Sequence, residues 1–132
     1  MPGVVVDSSV WIDFFRDGTS TTADLLEELV NTDQAYISEI IRVELLSGCR
    51  HELEYRRLED FLAGFPMLEM ESGFWNQVAL ARFRLARQGM QASLPDVAIA
   101  VMARRHSCLL LTLDRSLMQI AKLLSIKLYA AH

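Results

Sequence analysis

The sequence predicts an α/β fold, a parallel sheet with helices on both faces. Two observations carry that prediction. Five short apolar segments alternate along the chain with segments of helical period. The strand segments are also continuous apolar runs, as strands covered on both faces require. In such sheets a functional site lies beyond the carboxyl ends of the strands, near the point where strand order reverses.

In chain order, Val4-Val5-Val6 reads as a buried strand ending in Asp7. Ser9 is expected to cap a short helix through Trp11, Ile12, Phe14 and Phe15 that ends near Gly18. Thr21-x-x-Asp24 resembles a capping box ahead of Leu25, Leu26, Leu29 and Val30. Ala35-Tyr36-Ile37 is a short strand, and Ser38 is placed to cap the next helix, which Gly48 ends. A further helix spans about Glu52 to Leu62, closed by Gly64. Met67 to Met70 reads as a third strand, followed by a helix capped by Ser72 that runs to about Gln88. Pro95 suits a first helical turn, where a missing N–H is harmless. Val97 to Ala103 is apolar on almost every side, so its helix should be central and buried. Cys108 to Leu111 is the most apolar strand candidate and runs into Thr112-Leu113-Asp114. A last helix over Leu117 to Leu124 precedes a closing strand from Ile126 to Tyr129.

At 132 residues the chain suits one domain, residues 1–132, large enough to bury a core. An apolar content of 52% favours a globular chain over a disordered one. No apolar run reaches the roughly 18 residues of a membrane span. Met1-Pro2-Gly3-Val4 lacks the basic start of a signal peptide, so a cytoplasmic location is expected. Cys49 and Cys108 have no CxxC spacing, and His51, His106 and His132 are scattered, which argues against zinc. A net charge of -4 leaves no basic footprint for nucleic acid, yet an acidic site carries its own negative charge until metal arrives.

Most of the seventeen acids lie on polar helix faces. Four do not. Asp7 and Asp114 follow the two most apolar strands, Glu44 sits mid-helix beside Val43 and Leu45, and Asp96 stands between Leu94-Pro95 and Val97-Ala98-Ile99. Each has an ordinary explanation on its own. Asp7 could be a turn residue, Glu44 an ion-pair partner of Arg42 or Arg82, and Asp96 a helix cap or macrodipole charge. Together they suggest a cluster whose mutual repulsion a hard cation would relieve. Oxygen-only ligands point to Mg²⁺ or Mn²⁺, and such clusters also clamp phosphates for in-line displacement. Arginines such as Arg42, Arg82, Arg84 and Arg87 read as ordinary surface charges rather than phosphate contacts, since the last three do not share one helical face.

On these residues the chain resembles the PIN-domain nucleases, specifically the VapC-type toxins of bacterial type II toxin–antitoxin pairs. The resemblance rests on Val6-Asp7-Ser8-Ser9-Val10-Trp11-Ile12-Asp13, Val43-Glu44-Leu45-Leu46-Ser47-Gly48, Leu94-Pro95-Asp96-Val97-Ala98-Ile99-Ala100 and Thr112-Leu113-Asp114, in that order. It implies a three-layer PIN-like fold with a five-stranded parallel sheet, Mg²⁺- or Mn²⁺-dependent endoribonuclease activity on RNA, a homodimer and a cognate antitoxin. It makes Asp7, Glu44, Asp96 and Asp114 the metal-binding and catalytic acids, with the hydroxyls of Ser9 and Thr112 orienting them. The chain departs from the family at Ser116, where relatives often carry a further acid. Two other readings compete: a PIN-fold binding module weak in catalysis, and an aspartate-based phosphatase. The latter wants a second acid where Ser9 stands and a later catalytic lysine, and Lys122 and Lys127 follow no suitable strand.

Overall fold

Residues 3–129 are described by the computed structural model; Met1, Pro2 and Ala130 to His132 lie outside them. Three consecutive valines, β-branched and fully buried, form β1 (Val4–Val6) at the centre of the sheet. There follow α1 (Ser8–Arg16), α2 (Thr21–Asn31), β2 (Ala35–Ser38), α3 (Glu39–Ser47) and α4 (Glu52–Leu62). The second half is β3 (Met67–Leu68), α5 (Phe74–Arg87), α6 (Leu94–Arg105), β4 (Leu109–Leu111) and α7 (Arg115–Leu123). All strand pairs are parallel, in the order β3-β2-β1-β4. The chain steps outward from β1 to β3, then crosses back to lay β4 on the other side of β1. With right-handed crossovers this reversal puts the earlier and later helices on opposite faces, and it locates the crevice of the sheet between β1 and β4.

The sheet has four strands among the described residues, not the expected five. The segment from Ile126 to Tyr129 meets β4 only at the bridge between Leu110 and Leu128. Two hydrogen bonds hold it, Leu110 N–H to Lys127 O at 3.1 Å and Tyr129 N–H to Leu110 O at 2.8 Å. With β4 only three residues long, there is little edge to extend a ladder along. β3 is likewise cut to Met67–Leu68.

The central helix is as expected: Val97 to Ala103, seven consecutive residues of α6, are all buried. Several caps fall elsewhere. Ser20, not Thr21, accepts the N–H of Ala23 at the start of α2, at 2.9 Å. Gly73, at φ +83°, stands before α5 in place of Ser72. Asp7 occupies the cap position of α1, so Ser9 lies one residue inside the helix. The last helix begins at Arg115, two residues before Leu117. Ser38 caps α3 as expected, and the strand β2 passes into that helix without a loop.

On its second turn α1 is anchored by aromatic packing. Trp11 is fully buried, and its indole N–H donates to Val6 O at 3.2 Å. Its ring lies 5.1 Å from that of Phe65 and 6.1 Å from that of Phe61. Apolar side chains remain exposed on α4 (Leu53, Phe61) and on α5 (Trp75, Leu80, Phe83).

Candidate active site at the carboxyl edge of the sheet

The register of β1 against β4 builds the site. Val6 pairs with Leu111, and the N–H of Asp7 continues the ladder by donating to Leu111 O at 2.9 Å. Asp7 and Thr112, the next residue on each strand, are thereby brought side by side. Asp7 is only 4% exposed, and a buried carboxylate needs partners. Both come from hydroxyls on its Oδ2: Ser9 Oγ donates at 2.7 Å and Thr112 Oγ1 at 2.8 Å. The same hydroxyls accept from the following loop. Leu113 N–H donates to Ser9 Oγ, and Asp114 N–H to Thr112 Oγ1, both at 3.0 Å. The loop that carries Asp114 is thus tied to the residue that carries Asp7. Ser9 and Thr112 both hydrogen-bond to Asp7 through the one oxygen, Oδ2.

Asp114 caps its own helix. Its Oδ1 accepts the N–H groups of Ser116 at 2.8 Å and Leu117 at 3.2 Å. Ser116, which stands where relatives often carry an acid, contributes its backbone here. Asp96 lies in the first turn of α6, which leads directly into β4. That helix therefore runs antiparallel to the strands and returns its N-terminus to their carboxyl edge. The cap is Ser93, whose hydroxyl accepts Asp96 N–H at 3.3 Å; the cap reading of Asp96 is thereby excluded, while its charge still favours the helix N-terminus.

Glu44, on α3, completes the group. It pairs with neither arginine considered above: Arg42 binds Glu59 at 3.1 Å, and Arg82 Nε donates to Ala92 O at 2.9 Å. Its partner is Ser8, whose hydroxyl donates to Glu44 Oε1 at 3.2 Å. Burial holds the Glu44 carboxyl above its ordinary pKa, and the nearby Asp7 adds to this. Ser8 opposes the rise, while Asp96 and Asp114 add smaller repulsion. Asp96 is raised by burial first, opposed by Ser93, with Asp114 and Asp7 contributing repulsion. Asp7 at the end of β1, Asp114 at the end of β4, Asp96 at the start of α6 and Glu44, bonded to Ser8 beside Asp7, thus lie at the same edge of the sheet.

Ser8 and Ser93 were not singled out from the sequence. A serine run directly after a strand-end aspartate was the available signal for Ser8. Among the described residues no group of three or more His, Cys, Asp or Glu side chains is arranged to hold a metal ion directly. The donor chemistry nevertheless fits a hard divalent cation. Magnesium keeps several waters and binds through one or two carboxylates, and repulsion among the acids is what such a charge relieves.

The PIN domain family matches residues 4–123. The chain is 27% identical over 128 residues to ribonuclease VapC11 of Mycobacterium tuberculosis, covering 94% of this chain and 96% of that one. Among solved structures it resembles DNA-bound VapBC from Salmonella typhimurium, with a TM-score of 0.78 at 22% identity and 98% of each chain covered. It also resembles a toxin-antitoxin complex from Klebsiella pneumoniae, with a TM-score of 0.66 at 22% identity, covering 85% of this chain and 87% of that one.

Proposed function

The chain belongs to the PIN-domain family, and on that premise we propose that it is a metal-dependent endoribonuclease, the toxin of a toxin–antitoxin pair. The observation that carries the reading is the placing of Asp7, Glu44, Asp96 and Asp114, from four separate elements, at the carboxyl edge of the sheet. Repulsion within such a cluster opposes folding, and a bound divalent cation would offset it. The ribonuclease naming of the VapC relative supports RNA as the substrate.

In this reading Asp7 and Asp96 hold a divalent cation, Mg²⁺ or Mn²⁺, with Glu44 and Asp114 completing its surroundings. When bound, the cation neutralises the acids and draws electron density from the scissile phosphate. Ser9 and Thr112 keep Asp7 in one orientation through Oδ2. The division of labour between the other two acids follows from their partners. Asp114 Oδ1 is engaged in capping α7. Glu44 is held at Oε1 by the Ser8 hydroxyl, which leaves its other oxygen to take a proton from the attacking water. The water oxygen bonds to phosphorus and its proton passes to Glu44, while the bond from phosphorus to the leaving oxygen breaks and that oxygen takes a proton from a second, solvent water.

Two partners accompany the proposal. The exposed apolar residues on α4 and on α5 are more than a lone domain needs, and they support a homodimer and a bound antitoxin. Among the described residues no helix is long and apolar enough to cross a membrane, and a cytoplasmic location suits a toxin that acts on cellular RNA. The deciding experiment incubates the purified chain with total RNA in chelator, Mg²⁺ or Mn²⁺ and maps the cleaved ends. Discrete cuts that require the cation are expected. RNA left intact under all three conditions would favour a binding module instead.

A further inference from the structure

We infer that Ser8 is a positioning residue, which holds the Glu44 carboxylate in place across the gap between α1 and α3. The inference rests on the proposed nuclease reading and concerns the same site. Ser8 and Ser9 are the first two residues of α1, so their side chains leave the helix about 100° apart. They cannot serve one acid. Ser9 turns to Asp7 Oδ2 and to the β4–α7 loop, and Ser8 turns to Glu44 Oε1 at 3.2 Å, 36 residues away in sequence.

Glu44 needs such a partner more than the other acids do. Its side chain has one more rotatable bond than an aspartate. Unlike Asp7 it is not held by two hydroxyls, and unlike Asp114 it binds no backbone N–H. The Ser8 hydroxyl is its hydrogen-bond partner among the described residues. The base of α1 that carries Ser8 is itself fixed, since the Trp11 indole is bonded to Val6 O. A rigid donor thus meets a flexible acceptor, which is the usual arrangement for orienting a ligand or base.

The test compares wild type, Ser8→Ala, Ser8→Thr, Glu44→Gln and the Ser8→Ala/Glu44→Gln double variant. Mn²⁺ affinity is measured by calorimetry, RNA cleavage by kcat, and folding by Tm. Ser8→Ala should lose roughly tenfold or more in affinity or kcat, the range for an outer partner of a ligand, with Tm little changed. Ser8→Thr, which keeps the hydroxyl, should restore most of the loss. In the Glu44→Gln background Ser8→Ala should have almost no further effect, because coupled residues are not additive. An active wild type matched by Ser8→Ala would overturn the role of Ser8 alone. So would equal losses in Ser8→Ala and Ser8→Thr, or a full additional loss in the double variant. A wild type that neither binds Mn²⁺ nor cuts RNA would overturn the nuclease reading, and the role of Ser8 with it.

Discussion

Two neighbouring strands, β1 and β4, both lead into helices whose cap position is an aspartate. Asp7 precedes α1 and Asp114 precedes α7. The two carboxylates behave differently. Asp114 accepts two backbone N–H groups of its own helix, as a cap residue ordinarily does. Asp7 makes no side-chain cap bond and is held instead by the hydroxyls of Ser9 and Thr112. The N-terminus of α1 thus forgoes a stabilising bond, typically worth about 1 kcal/mol, while its aspartate is buried and held by two hydroxyls. A residue withheld from its local structural role marks a functional position more sharply than its mere acidity does.

The largest expected effect tests the functional side of this contrast. Asp7→Asn keeps the shape and the capacity to accept from both hydroxyls, but it removes the charge. Cleavage should fall on the order of 10²–10³-fold, as on loss of one preorganised electrostatic group, with the melting temperature nearly unchanged. Near-normal cleavage by this variant in a single-turnover assay would remove Asp7 from the site.

A smaller effect tests the structural side. Asp114→Ala removes the cap of α7 and should cost about 1 kcal/mol of stability. Asp114→Asn can still accept from the two N–H groups and should cost less. Denaturant unfolding separates the two. Equal losses would mean that charge, and not the cap bond, is what Asp114 supplies to the fold.

A third effect, of similar size, concerns Glu44 and Asp96, whose carboxyls are both raised in the folded chain, by burial first and by neighbouring acids after it. A raised carboxyl binds its proton more tightly folded than unfolded. Its contribution to stability is full below the unfolded value of about 4 and is lost as pH rises through the higher folded value. In chelator, the share of stability due to these groups should decline over that window, and Asp96→Asn should flatten the decline and melt no lower than wild type at neutral pH. Added cation should reverse the loss, by about 1.4 kcal/mol for a Kd near 1 mM at 10 mM metal. Melting curves of both proteins across pH, with and without Mn²⁺, measure this. Wild type indifferent to the cation would argue that the acids do not share an ion.

Much of this was legible in the chain because it is local. Runs such as Val4-Val5-Val6 and Leu109-Leu110-Leu111 read as buried strands and Val97 to Ala103 as a covered helix from neighbours close in the chain, and that is what they form. The acids that break those apolar patterns were visible for the same reason, since an unpaired carboxylate there is costly. Caps were less legible. Ser9 satisfies the local rule for an N-cap, yet its hydroxyl is bonded to Asp7 and to a loop 104 residues further on.

By itself, then, the sequence determined the order of elements, the buried stripes and the four acids, because each depends on neighbours within a turn or a strand. Tertiary structure alone decided which side chains meet. The register of Val6 against Leu111 brings Thr112 to Asp7, and the placing of α3 beside α1 brings Glu44 to Ser8. It also decided that the closing segment touches β4 at one bridge instead of forming a fifth strand. Strand register and helix docking arise from packing between segments remote in the chain, and spacing along the chain carries no record of the distance between them.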